Sequence, residues 1–207
     1  VLASHIIGEA SKLLSDLGHV RWSQADKLAW LNAGQRQIVA VRPDANAVKA
    51  DRALVAGVEQ SLPANGTKLL DIIRNVDGRA VTLISREQMT ALNTGWFEAR
   101  PSRVIQHYFF DANDPKSFHV YPPAETGAAV RILYAALPTD CTDASDSAIS
   151  LDDIYEGPLI DWICYRAWSV DSDAPGDVAR AANAMSTFMQ ALGVKTQTDQ
   201  STQPRRA

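Results

Sequence analysis

Four groups of side chains in this 207-residue chain have types and spacings that could carry chemistry. His107 and His119 fall in the two arms of one expected hairpin, with Asp111 and Asp114 in the turn between them. Two imidazoles make half a metal site, and a turn carboxylate would extend it. Without a third ligand at fixed spacing the pair reads as strand histidines beside a polar turn. Asp152, Asp153, Glu156 and Asp161 supply carboxylates, but acid–base catalysis needs two of them held across a cleft. These lie at and near one helix start, where the helix dipole already favours anions. Cys141 and Cys164 form no CxxC pair, so neither a disulfide scaffold nor a cysteine zinc site is expected. Cys164 sits in the most apolar segment, as inert core does. The chain holds no GxSxG, HExxH, GxxxxGKS/T or GxGxxG motif. No catalytic residue, metal or cofactor is expected.

The fourth group is cationic. Arg166 lies inside an apolar helix, where a guanidinium keeps its proton and requires a partner. That partner is either a nearby acidic residue of the same chain or a group supplied from outside. From Asp140 to Asp177 ten carboxylates face Arg166 alone, a local balance of −9 in a chain of net charge −4. One acidic face without a basic stripe argues against a nucleic-acid binder. It suits electrostatic choice of a protein partner, with Asp143 and Asp146 as contact residues and a surface carrying Arg21, Arg36 and Arg42 as the counterpart. Lys195, Arg205 and Arg206 form too thin a set for DNA binding.

Composition is that of a chain able to bury a core, 46% hydrophobic and 21% charged. The longest uncharged stretch, Ala181–Val194, falls short of the roughly 20 residues that span a bilayer. The N-terminus has no basic region and meets Glu9 early, so no signal peptide is expected. These features suit a soluble protein of a reducing compartment.

The elements that must position these groups follow from periodicity. Ser4 to Leu17 places Ile6, Ile7, Ala10, Leu13, Leu14 and Leu17 on one helical face, with Gly18 as its stop. Ser23 with Asp26 caps a second helix, whose stripe is Leu28, Leu31, Gln35, Ile38 and Arg42, ending at Pro43. Its other face carries Gly34, which invites close approach of another element. From about Val48 to Pro138 the period becomes two. Asp77-Gly78 joins strands Leu69–Ile73 and Ala80–Ile84 as a hairpin. Ser85 to Leu92 reads as a short helix. Val104–Phe110 and Ser117–Tyr121 form a second hairpin, and Ala129–Ala136 a further strand. Ser150 is expected to cap a segment with Asp152 and Asp153 in its first turn. Leu159 to Val170 is apolar nearly all round, the mark of a central helix. A final helix opens at Pro175, buries Val178, Ala182, Met185, Phe188, Met189 and Leu192, and stops at Gly193.

The expected architecture is α+β: residues 1–47 and 139–193 form a helical bundle, and 48–138 an inserted antiparallel β region with one short helix. Residues 194–207 are polar without an apolar face and read as an extended docking arm anchored by Arg205 and Arg206.

An ordered set of short runs adds a resemblance. The runs are Arg21-Trp22-Ser23, Trp30-Leu31-Asn32, Gly34-Gln35-Arg36 and Arg42-Pro43-Asp44-Ala45, then Gly57-Val58-Glu59-Gln60 with Leu62-Pro63. His107-Tyr108-Phe109-Phe110-Asp111, Asp114-Pro115, Phe118-His119-Val120-Tyr121-Pro122-Pro123, Leu151-Asp152-Asp153-Ile154-Tyr155 and Tyr165-Arg166-Ala167 follow. Together, over roughly residues 5 to 192, they resemble the tailed-phage adaptor proteins, also called head-to-tail connector or tail tubular proteins. The resemblance implies a non-enzymatic virion component of the neck, made in the host cytoplasm. It assembles as a ring of itself, twelve-fold, beneath the portal protein and joins it to a tail or nozzle protein. DNA is then passing cargo and no membrane is involved. In that setting Arg166 either pairs within its chain or contacts the neighbouring subunit. A different class, a virion polysaccharide-binding or hydrolysing protein using the β region, is the alternative.

Overall fold

A computed structural model describes residues 1–111, 113–170 and 176–202, with 194–202 as backbone only. The chain is α+β, with helices at both ends and a central β region. It divides into two compact units, one of Val1–Ala45 with the chain from Pro138 onward, the other of Asn46–Leu137. Among the described residues, no helix is long and apolar enough to cross a membrane.

The first unit is built on α1 (Ala3–Leu13), α2 (Gln24–Val41), α4 (Glu156–Val170) and α5 (Asp177–Thr202). Helix α4 packs against the other three, as its apolar circumference requires. Leu159, Ile163 and Ala167 are fully buried beside Ile6 and Ala10 of α1, Leu31 and Ile38 of α2, and Phe188 and Leu192 of α5. Gly34 is where α2 and α4 meet. A Cβ there would lie 2.8 Å from Trp162 Cδ1 and 3.0 Å from Leu159 Cδ2, so only glycine admits this approach. Trp162 in turn rests on Phe188, with ring centroids 5.2 Å apart.

Several boundaries depart from the sequence pattern. Helix α1 ends at Leu13, not Leu17, and Leu17 is 67% exposed. The chain turns through Ser15 and His19 at positive φ so that the Asp16 side chain can point inward. Ser150 is not a cap; Asp152 accepts from Ile154 N at 2.9 Å and caps a 3-10 turn, Asp153–Tyr155, that leads into α4. Helix α5 buries Asp177, Ala181, Ala184, Phe188 and Leu192, while Val178, Ala182 and Met189 face solvent. The buried face is thus rotated from the expected one, because Asp177 turns inward to meet Arg21. Val170, counted on the apolar α4, is exposed. Gly193 does not stop α5, which continues to Thr202 in place of an extended arm. A helical glycine costs only about 1 kcal/mol relative to alanine, and no proline follows before residue 204. Pro175 and residues 203–207, with Arg205 and Arg206, lie outside the described residues.

The second unit holds two sheets, one ordered β1-β7-β3 and the other β2-β6-β5-β4. The first comprises β1 (Ala47–Ala53), β3 (Gly66–Asn75) and β7 (Ala129–Ala136), all antiparallel. The second comprises β2 (Gly57–Ser61), β4 (Thr82–Leu83), β5 (His107–Phe109) and β6 (Ser117–Ala124). Gly57, at φ +115°, opens β2 in a conformation that side chains resist. Ile72, Tyr108, Phe118, Val120, Val130 and Ile132 form the core. The β5–β6 hairpin is present as expected, and α3 (Arg86–Leu92) starts at Ser85 with a full capping box. The Asp77-Gly78 turn also forms, but its second arm leaves β3 after an isolated Arg74–Ala80 bridge. It joins the other sheet as β4, parallel to β5. Asn75 directs this switch, donating to Arg79 O at 2.9 Å and Ile105 O at 2.8 Å while accepting from Ile105 N at 2.8 Å.

Candidate interaction surface

The loop between α1 and α2 is organised by a buried ion pair. Lys27 is fully buried, and its ammonium lies 2.9 Å from Asp16 Oδ2, 3.0 Å from Ser11 Oγ, 3.1 Å from Asp16 O and 3.1 Å from His19 Nδ1. Asp16 also accepts from the backbone N–H groups of Val20, Arg21 and Trp22 at 2.8–3.2 Å. Burial alone would raise its carboxyl. The hydrogen bond from Lys27 and those from the three amides outweigh that, holding it far below the usual carboxylate range. This cluster was not singled out from the sequence. Its signal was available: Lys27 lies one turn before Leu31 on the apolar stripe of α2, a cation where burial demands a partner.

Helix α2 also positions the acidic segment that precedes α4. Asn32 accepts from Cys141 N at 2.8 Å and donates to Cys141 O at 2.9 Å. Gln35 accepts from Ser150 N at 3.0 Å. Two buried amides therefore clamp both ends of the stretch that carries Asp143 and Asp146, which are exposed. Asp143 accepts from Ser145 N and Oγ at 2.7 Å, which pulls its carboxyl below the ordinary value. Burial pushes the Cys141 thiol up and takes the Cys164 thiol to about 12, so neither is a reactive thiolate.

The expected basic counterpart is already engaged inside the chain. Arg36 pairs with Asp140, Arg21 with Asp177 at 3.1 Å, and Arg42 forks onto Asp44 at 2.6 and 3.1 Å. Arg166 behaves oppositely. Its side chain makes no hydrogen bond or ion pair among the described residues, and its Nε is buried without an acceptor. The intrachain pair expected for it is therefore absent among those residues.

The remaining candidates disperse. His107 stacks on Tyr121 and meets Thr82 Oγ1 at 2.6 Å, while His119 lies parallel to Phe109 with centroids 5.1 Å apart. Asp111 and Asp114 serve the turn, accepting from Asn113 N at 2.8 Å and from Ser117 Oγ. No group of three or more His, Cys, Asp or Glu among the described residues could hold a metal ion. Of the carboxylates before and within α4, Asp152 caps, Glu156 meets His5 Nε2 at 2.9 Å, and Asp161 stands apart.

The arrangement is one of clamped segments, exposed charges and charges without partners among the described residues, suited to contact with other proteins. Comparison with curated proteins gives no match. The SU10 adaptor protein family matches residues 2–207, nearly the whole sequence. This span takes in both helical ends and the β region between them, and on it the chain belongs to the SU10 adaptor proteins, a family of phage structural adaptors.

Proposed function

We propose that the chain is a ring-forming adaptor that joins the portal protein to the tail or nozzle of a tailed phage, twelve copies to a ring, in the virion neck. The family match over residues 2–207 carries this reading. Portal and tail contacts are assigned to protein surfaces, with Asp143 and Asp146 on a segment that Asn32 and Gln35 hold in place. A rigid exposed carboxylate loses little entropy on binding and sets register and encounter rate. The C-terminal extension of α5, followed by Arg205 and Arg206, supplies a second docking element. DNA passes through the ring as cargo. Native mass spectrometry and electron microscopy of the purified chain, alone and with the portal, test the reading. A closed ring that binds the portal is the expected result; a chain that stays monomeric in both settings overturns it.

A further inference from the structure

Helix α4 carries two charges of opposite sign that find no partner among the described residues. Arg166 is half-buried, with its Nε enclosed and without an acceptor. One turn earlier, Trp162 is more than nine-tenths buried and its Nε1 also lacks an acceptor among the described residues. Asp161 is half-buried too, and its side chain accepts no hydrogen bond and joins no ion pair among the described residues. Burial pushes its carboxyl above the ordinary value, with no opposing partner. It lines a cleft of about 200 Å³ with Leu13, Trp168, Arg180, Asn183 and Thr187. Arg180, the cation within that cleft, donates to Asp177 at 3.5 Å.

Leaving either charge half-desolvated and alone is costly, and each supplies what the other lacks. They cannot meet within one helix. Five residues at 3.6 per turn place Arg166 about 140° around the axis from Asp161. Complementary charges on different faces of one protomer can pair head to tail, each copy offering one face to the other face of its neighbour, and such a heterologous contact closes into a ring where its rotation allows. A guanidinium can fork onto a carboxylate, and Trp168 at the cleft adds an aromatic face on which it can stack.

We infer that Arg166 of one copy enters the Asp161 cleft of the next copy, repeating head to tail around the ring. This rests on the ring reading above and names the contact that closes it.

Charge reversal tests it. Asp161→Arg and Arg166→Asp place like charges at every contact. Each should stay dissociated under conditions where the wild type forms rings, with its melting temperature retained. Mixed in equal amounts the two variants should assemble, because every contact in an alternating ring regains opposite charges. Native mass should then show even copy numbers only. The double variant should assemble alone. If the reversals do not fold, Asp161→Asn and Arg166→Gln remove the charges with little change of shape. Either should raise the concentration for half-assembly by about tenfold or more. Single variants that form rings as readily as wild type overturn the inference, as do folded variants whose mixture stays dissociated or stops at dimers. A wild type that forms no ring, alone or with the portal, fells the ring reading and this contact with it.

Discussion

Asp16 and Lys27 form a buried pair in which charge and hydrogen-bonding capacity are saturated, whereas Asp161 and Arg166 are half-buried and without partners among the described residues. Both sets lie in the same helical unit. Their difference separates two uses of a desolvated charge. In the first, one ammonium and three backbone amides converge on a carboxylate and fix the path of the chain from α1 to α2. In the second, the guanidinium and the carboxylate lie on different faces of α4, and the contact inferred above is what pairs them. Saturation, more than burial, distinguishes a charge that holds the fold from one that serves an interface.

The sharpest way to break this contrast is to remove one partner from each set. Lys27→Met leaves the Asp16 carboxylate buried without its cation and should cost about 3–5 kcal/mol in denaturant unfolding at neutral pH. Arg166→Gln should change the stability of the isolated chain by less than about 0.5 kcal/mol. Asp161→Asn should leave it unchanged or raise it, since burial disfavours the carboxylate. Comparable losses at all three positions would erase the distinction.

Acid sharpens the same comparison. The Asp16 carboxyl of the folded chain is held far below its ordinary value, so the unfolded state takes up the extra proton first. The stabilisation is complete above the ordinary carboxylate pKa of about 4 and is lost as pH falls below it. Asp161 has the opposite sign: its folded carboxyl is raised, so acid relieves a penalty there. Unfolding curves from about pH 5 to about pH 2 should therefore fall less steeply for Asp16→Asn than for wild type. Parallel curves would remove Asp16 from the acid response.

Two apolar substitutions set the scale. Ile163 is fully buried in α4, and Ile163→Ala should cost about 2–5 kcal/mol through the cavity it leaves. Gly34→Ala adds a methyl group 2.8 Å from the Trp162 ring, and the resulting overpacking should cost about 1–3 kcal/mol. A change below about 0.5 kcal/mol at Ile163 would mean that α4 is not the centre of its unit.

Sequence periodicity carried the α+β class because Ile6, Leu31, Leu159 and Phe188 recur on helical stripes while the middle of the chain alternates. Ser23, Ser85 and Gly34 were legible individually, since a cap or a close approach needs a particular residue type in a local frame. The end of α1 was not. Gly18 is a common stop, yet the chain leaves the helix after Leu13, four residues before the expected Leu17, because Asp16 must reach Lys27 in the next helix. That constraint is tertiary. The rotated face of α5 has the same origin, for Asp177 is drawn in by Arg21, 156 residues away. Asn75 similarly overrode the local hairpin by bonding to Ile105. Of the candidate site, Arg166 was singled out on the principle that a guanidinium in an apolar helix needs a partner. The cleft around Asp161 was invisible, because its lining comes from three helices.

The smallest expected effect lies at the exposed end of the comparison, on the segment that Asn32 and Gln35 clamp. Asp146 and Asp143 are both exposed, but they are not equivalent. Asp143 also accepts from Ser145 N, so reversing it removes a turn as well as a charge. Asp146→Lys changes the field with less disturbance of the backbone and is the cleaner probe. It should leave the melting temperature of the isolated chain nearly unchanged while slowing association with the portal. Exposed charges act over a Debye length of about 10 Å at 0.1 M salt and about 3 Å at 1 M, so the difference from wild type should shrink as salt is raised. Stopped-flow association rates at about 50 mM and about 500 mM salt measure this. A deficit that persists undiminished at high salt would assign Asp146 to a close, desolvated contact like the one inferred for Arg166. Equal rates for wild type and variant at low salt would take the acidic segment out of portal recognition and leave Asp161 and Arg166 of α4 as the electrostatic part of assembly.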